Sequence, residues 1–180
     1  QGMLPVFAVY STFLQRSYDM LLHDVALQKL HVVLAVDRAG LVGEDGETHQ
    51  GIFDIAYLSS VPGMSILCPA SFAELKAMLE HALFKMRGPV AVRYPRGGEG
   101  RFRQNLGVEG TAMARRGNDI TLIAYGTMIN VALDAADQLE QQGISVRVLK
   151  LNSIRPLDIG PIQQAALETR HLLVAEECGS

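Results

Sequence analysis

Short apolar runs alternate with helix-length amphipathic segments along the whole of this 180-residue chain. Each run has the length of a buried strand rather than of a buried helix. Because strand, helix and strand in succession generate parallel pairing, the alternation predicts an α/β fold with a parallel sheet flanked by helices. The predicted strands are 5–10, 32–37, 65–68, 90–94, 119–126, 145–151 and 171–177, and the predicted helices are 11–30, 71–86, 128–143 and a segment after Pro156.

One segment, YPRGGEGRFRQNLG at 94–107, interrupts the alternation because it is rich in glycine and arginine and poor in aliphatic residues. We therefore predict a first domain at 1–95, a linker at 96–107 and part of a second α/β domain at 108–180. The chain begins with Gln1 rather than methionine and stops just after a predicted core strand. We therefore expect it to be a fragment of a longer polypeptide.

Composition and charge narrow the classes of function. The net charge is −3 and there is no basic run, so we expect no nucleic-acid partner. No apolar run is long enough to cross a bilayer, so we expect no membrane association. Cys68 and Cys178 lie far apart in sequence, which is typical of a reducing compartment and predicts a cytoplasmic protein.

The polar loop GEDGETHQG at 43–51 follows the second predicted strand directly. Tyr10 ends the first strand, Arg38 follows the second and Arg96 follows the fourth. Ligands of parallel sheets gather beyond the carboxyl ends of the strands. Since guanidinium groups match phosphate geometry, these residues predict an anion site at that edge of the sheet.

Simpler interpretations of the same residues remain open. A loop histidine such as His49 is often only solvated, and Arg38 and Arg96 could be partners in surface salt bridges. Judged by periodicity alone, Tyr10 and Phe13 could be core residues. The loop lacks the ligand spacing of a calcium-binding EF-hand, and the glycines near 97–100 do not open a helix as a dinucleotide motif requires.

Three segments carry a family resemblance: YSTFLQRSYDMLLHDVA, VDRAGLVGEDGETHQGIFDIAYL and GPVAVRYPRG. They closely resemble the 1-deoxy-D-xylulose-5-phosphate synthases, a family of transketolase-like, thiamine-diphosphate-dependent transferases. The resemblance implies a homodimeric enzyme that condenses pyruvate, with loss of CO2, and D-glyceraldehyde 3-phosphate. The product is a precursor of isoprenoids, thiamine and pyridoxal.

Two alternatives stay open at this point. GEDGETHQ is equally typical of transketolases, which move two-carbon units between sugar phosphates. The chain could also be a non-catalytic pyrimidine-domain module. YSTFLQR, DRAG and VRYPRG favour the synthase over a transketolase.

The resemblance also implies a role for seven side chains. His49, Asp45 and Tyr10 match catalytic positions of the family. The positions that match substrate-binding residues are Arg38, Arg96, Arg16 and again Tyr10, with the first two on the phosphate of the aldehyde. Phe13 matches the aromatic residue that packs on the aminopyrimidine ring of the cofactor.

The family uses thiamine diphosphate together with Mg²⁺. Its magnesium ligands, and the glutamate that activates the aminopyrimidine, belong to a part of the enzyme that precedes the pyrimidine-binding domain. We therefore expect no metal site in this chain, and no turnover by the 180 residues alone.

Overall fold

A computed structural model describes residues 2–178 and shows two α/β domains, each built on one sheet with flanking helices. Gln1, Gly179 and Ser180, at the outer ends of the two predicted domains, lie outside the described residues. The strands are β1 (Val6–Tyr10), β2 (Val33–Asp37), β3 (Ser65–Leu67), β4 (Val90–Arg93), β5 (Thr111–Arg115), β6 (Ile120–Tyr125), β7 (Val146–Leu151), β8 (Ser153–Arg155) and β9 (Leu172–Ala175). The α-helices are α1 (Ser11–Leu14), α2 (Tyr18–Met20), α3 (Asp54–Ser60), α4 (Phe72–Phe84), α5 (Met128–Glu140) and α6 (Gly160–Thr169).

The first sheet has the strand order β1-β2-β4-β3-β8. Its first four strands are parallel, with Tyr10 opposite Asp37 and Val36 opposite Arg93. The central strands β2 and β4 are buried on both faces, as expected from their continuous runs of Val, Leu and Ala. The carboxyl ends of β1, β2 and β4 therefore lie side by side.

The second sheet has the order β5-β7-β6-β9, with β6 parallel to both β7 and β9. Helix α5 packs on one face of this sheet through Ile129, Ala132 and Ala136. All seven predicted strands are present, with ends that differ from the prediction by one or two residues.

The predicted α/β fold is confirmed, and two further strands make each sheet mixed. β8 pairs antiparallel with β3, with Ser153 opposite Leu67, and β5 pairs antiparallel with β7. Both strands escaped prediction because neither is an apolar run: β8 has three residues and β5 contains Thr111 and Arg115. β8 also connects the two domains, because it extends the first sheet with residues from the predicted second domain.

The prediction of one continuous helix over 11–30 was wrong. After α1, the chain makes a 3₁₀ turn at Gln15–Ser17, returns to α2, and widens into a π-helix at Leu21–Ala26. Lys29 adopts a left-handed conformation with φ of 54°, which ends helical structure before β2. Helix α3 was not predicted, because its seven residues are too few to show a helical period.

One apolar core is shared by the two domains. Leu34 and Ile66 of the first sheet belong to the same buried cluster as Ile123 and Leu149 of the second sheet. Between the domains, the ammonium of Lys150 contacts the carboxylate of Glu74 at 3.0 Å, and both side chains are fully buried. Over residues 2–178, no helix is long and apolar enough to cross a membrane.

Candidate active site

The predicted site residues do converge at the carboxyl edge of the first sheet. Tyr10 is the last residue of β1, and Asp37, its partner in register, is the last residue of β2. Arg38 comes directly after β2, and Arg96 follows β4 by three residues. The parallel register thus brings together side chains that are far apart in sequence.

At the centre of the edge, the carboxylate of Asp45 joins two guanidinium groups. Its Oδ2 accepts a hydrogen bond of 2.8 Å from Nε of Arg38, and its Oδ1 accepts one from Arg96. Arg38 also pairs with Asp37 at 2.6 Å, and Arg96 pairs with Glu44 at 3.1 Å. The two arginines are therefore held around one oxyanion, which is the arrangement that a phosphate group would also require.

Arg38 is fixed more tightly than a surface arginine would be. Its backbone has a φ of 57°, and its guanidinium carbon lies 3.7 Å from the centre of the Tyr10 ring, in a cation–π contact. Although desolvation opposes the shift, the nearby carboxylates of Asp37 and Asp45 raise the pKa of Arg38. The group is thus a permanent, oriented positive charge.

The loop that carries Asp45 and His49 is closed at its base. Gly40 and Gly51 exchange two backbone hydrogen bonds of 2.8 Å. Within the loop, the Gln50 side chain accepts from the Val42 N–H and donates to the carbonyl oxygens of Val42 and Gly46. At Gly51 a Cβ atom would lie 2.1 Å from the carbonyl oxygen of Arg38, so only glycine allows the two chain segments to meet.

An aromatic series leads from Tyr10 to the imidazole of His49. The Phe13 ring stacks on Tyr10 with centroids 5.7 Å apart and meets the His49 ring edge-on at 5.1 Å. The Arg16 guanidinium lies 5.4 Å from the Phe13 centroid. His49 is further oriented by a hydrogen bond of 2.8 Å between its Nδ1 and the Thr48 hydroxyl.

Two clefts border this network. One, of about 330 Å³, includes Arg38 and Arg96 together with Phe72 and Thr127. The other, of about 220 Å³, lies between α1, the loop and the start of α3.

A buried pair beneath the edge was missed by sequence reasoning. Arg93 donates from Nε to Oδ2 of Asp54 at 3.0 Å, and the two side chains are only 4% and 0% exposed. Although Arg93 is the last residue of β4, its side chain points inward and joins β4 to the start of α3. Asp54 could have been noticed as a single acid inside the apolar segment GIFDIAYL.

The structure links all seven predicted site residues by direct contacts, through Asp45 on one side and Phe13 on the other. Phe13 is 37% exposed, so the alternative of a core residue fails for this ring. The alternative of salt-bridge partners describes Arg38 and Arg96 as they stand, because both are paired with carboxylates. The functional roles of all seven remain predictions.

The residues present fit one half of a thiamine-type cofactor. An accessible Phe13 ring suits the packing of a flat heterocycle. Within residues 2–178, no group of three His, Cys, Asp or Glu side chains is arranged to hold a metal ion. The described residues thus offer a surface for an aromatic ring.

Comparison with known proteins gives the class. Residues 1–98 match the family described as the pyrimidine-binding domain of transketolase, and residues 110–180 match the transketolase C-terminal domain. The chain therefore belongs to the transketolase family.

Within that family, the chain is similar to 1-deoxy-D-xylulose-5-phosphate synthases. It is 49% identical to the synthase of Chlorobaculum tepidum over 98% of the chain, and 53% identical to that of Clostridium kluyveri over 88% of the chain. These alignments cover 28% and 26% of the two relatives, so the chain spans little more than a quarter of their length.

Solved structures show the same fold. A split-gene transketolase, described as an inactive beta4 tetramer, superposes with a TM-score of 0.86 at 30% identity, over 98% of this chain and 58% of that one. A transketolase of Pichia stipitis superposes with a TM-score of 0.83 at 21% identity, over 97% of this chain and 27% of that one, which bears on the fold alone.

Proposed function

We propose that this chain is part of a 1-deoxy-D-xylulose-5-phosphate synthase. The whole enzyme would condense pyruvate, with loss of CO2, and D-glyceraldehyde 3-phosphate into 1-deoxy-D-xylulose 5-phosphate. The observation that carries the proposal is the pair of guanidiniums gathered around Asp45 at the strand ends, in a chain 49% identical to such a synthase.

Arg38 and Arg96 would bind the phosphate of the aldehyde substrate. Both already converge on the carboxylate of Asp45, so two phosphate oxygens could take over the contacts that its two oxygens make now. Guanidinium forks suit this exchange, because carboxylate and phosphate present oxygens with similar spacing. Arg16 would add a third positive charge beside Phe13.

His49, Asp45 and Tyr10 would act on the reacting carbons. The His49 imidazole is oriented by Phe13 and Thr48, which suits a group that transfers a proton or stabilises an oxyanion. Thiamine diphosphate, when bound, supplies the electron sink for the loss of CO2. Phe13 would hold its pyrimidine ring, while Mg²⁺ would be bound with the diphosphate by residues outside this segment.

The enzyme would be a cytoplasmic homodimer. Apolar side chains are exposed on two edge strands, Val6 and Phe7 on β1 and Leu173 and Val174 on β9. Exposed apolar edges of this kind support burial against further parts of the longer protein or against a second copy.

The experiment that tests the proposal follows CO2 release by the longer protein supplied with pyruvate, thiamine diphosphate and Mg²⁺. We expect release that depends strongly on added D-glyceraldehyde 3-phosphate. A transketolase would instead transfer two carbons from a ketose phosphate without releasing CO2. That alternative has support from a split-gene transketolase at 30% identity, against 49% for the synthase of Chlorobaculum tepidum.

A further inference from the structure

The loop that carries Asp45 and His49 is supported from below by the second domain. Glu177 lies two residues after β9, in a part of the chain that the proposed roles do not use. Its carboxylate packs against Gly40, at the base of the loop. It also accepts a hydrogen bond of 3.4 Å from the hydroxyl of Thr127, at the start of α5. One side chain therefore joins both domains to the base of the loop.

The fit against the loop base is close. A Cβ atom at Gly40 would lie 1.9 Å from Oε2 of Glu177, so no other residue at position 40 could coexist with the carboxylate in its present position. Gly40 also has a φ of 82°, a conformation that glycine adopts without strain. Glycine at position 40 therefore allows both the left-handed backbone conformation and the close approach of Glu177.

Neighbouring groups make this contact strong enough to matter. Burial raises the pKa of Glu177, while the positive charge of Arg93 opposes that shift and favours the carboxylate. Arg93 is itself held by Asp54, and Cys178 packs against the same guanidinium at 3.1 Å. Glu177 therefore lies beside a charged, partly buried group rather than in free solvent.

We propose that Glu177 is a positioning residue that holds the loop 41–50 in the conformation presenting Asp45 and His49. The importance of this conformation for catalysis rests on the proposed function, but the structural claim does not. Glu177 contacts neither predicted substrate arginine among the described contacts, so it would act only through the loop.

Hydrogen–deuterium exchange of the 180-residue chain tests the structural claim. We expect Glu177→Ala to raise exchange of the amides in 41–51 by about tenfold, because the loop base loses the side chain that packs against Gly40. The matched control is Glu176→Ala, the adjacent and exposed residue, whose carboxylate accepts from Tyr125 at 3.0 Å within the second domain. Glu177→Gln should stay near the parent rate, because glutamine has the same shape, still packs against Gly40 and can still accept from Thr127.

Equal loop exchange in the parent, Glu177→Ala and Glu176→Ala chains would overturn the proposal. So would a uniform rise across 111–151 in Glu177→Ala that Glu177→Gln fails to rescue, because that result indicates general destabilisation.

The catalytic consequence is measured separately in the longer protein. We expect kcat to fall at least tenfold in Glu177→Ala and to recover in Glu177→Gln, with unchanged thermal stability. Unchanged kcat in Glu177→Ala despite faster loop exchange would overturn the catalytic part. Failure of the proposed function would instead appear as a synthase assay without CO2 release, while the exchange result would stand.

Discussion

Two kinds of charge cluster lie within a short distance of each other at the carboxyl edge of the first sheet. Asp54 and Arg93 form a single pair beneath the edge, at 0% and 4% exposure. Above it, two arginines share three carboxylates, and Arg96 and Glu44 are 39% and 82% exposed. The lower pair is enclosed, whereas the upper cluster is solvated at Arg96 and Glu44, and each of its arginines contacts two carboxylates.

The difference distinguishes a buried pair that stabilises the fold from an exposed cluster that is suited to binding a ligand. Removing one member of an enclosed pair leaves an uncompensated charge, so such a pair cannot change partners during turnover. In the exposed cluster, solvent and neighbouring carboxylates allow exchange with an incoming anion at little cost. The contrast predicts large stability effects below the edge and functional effects with small stability changes above it.

The largest effect is expected for Arg93→Met. The substitution leaves the Asp54 carboxylate buried and unpaired, which should lower the free energy of unfolding by about 3–5 kcal/mol. Urea denaturation of the 180-residue chain measures it. The double variant Arg93→Met/Asp54→Asn should recover much of that loss, and an equal loss in both variants would show that packing rather than charge matters.

The second largest effect is expected for Lys150→Met, which should lower the free energy of unfolding by about 3 kcal/mol. Lys150 is fully buried between the domains and contacts Glu74, Asn152 and the carbonyl oxygen of Cys68. Burial lowers the pKa of Lys150, and Glu74 opposes that shift. The same denaturation experiment applies, with Lys76→Met on the outer side of α4 as the control. A loss no greater than that of the control would contradict a role of this pair in joining the domains.

His49→Ala tests the site above the sheet edge rather than the buried pairs. In the longer protein we expect turnover to fall by about a hundredfold or more, since an oriented proton-transfer group is lost. The unfolding midpoint of the 180-residue chain should change little. His23→Ala is the control, because this exposed histidine pairs only locally with Asp19. Near-normal turnover of His49→Ala would show that the loop has no role in the reaction.

The smallest effect is expected for Glu44→Gln. Its contact with Arg96 is solvated, and Asp45 still holds the guanidinium, so stability should change by less than about 0.5 kcal/mol. Thermal unfolding in low and high salt measures it. A loss as large as that of Lys150→Met would show that the exposed cluster is structural after all.

Much of this architecture was predictable because most of the strands are short apolar runs in the sequence. The sequence also predicted that Tyr10, Arg38 and Arg96 lie close together, because they follow parallel strands and ligands gather at the carboxyl ends of such strands. The elements that escaped prediction, such as β8 and α3, are short and draw their stability from tertiary contacts rather than from their own pattern.

Side-chain direction was the harder part of the site. Arg93 and Arg96 look alike in VRYPRG, yet one points under the sheet edge and the other out over it. Only the position of Asp54 decides between them, and that residue is distant in sequence. The support from Glu177 was unpredictable for the same reason, because it crosses between domains.

The measurement that most directly tests the account compares phosphorylated and unphosphorylated aldehyde in the longer protein. Arg96→Ala should raise the KM for D-glyceraldehyde 3-phosphate by about a hundredfold and leave that for D-glyceraldehyde nearly unchanged, since only the former carries the anion. Arg101→Ala, a second exposed arginine paired with Asp134 and Asp137, is the matched control and should change neither. An equal change for both aldehydes, or none, would contradict the assignment of this cluster to phosphate.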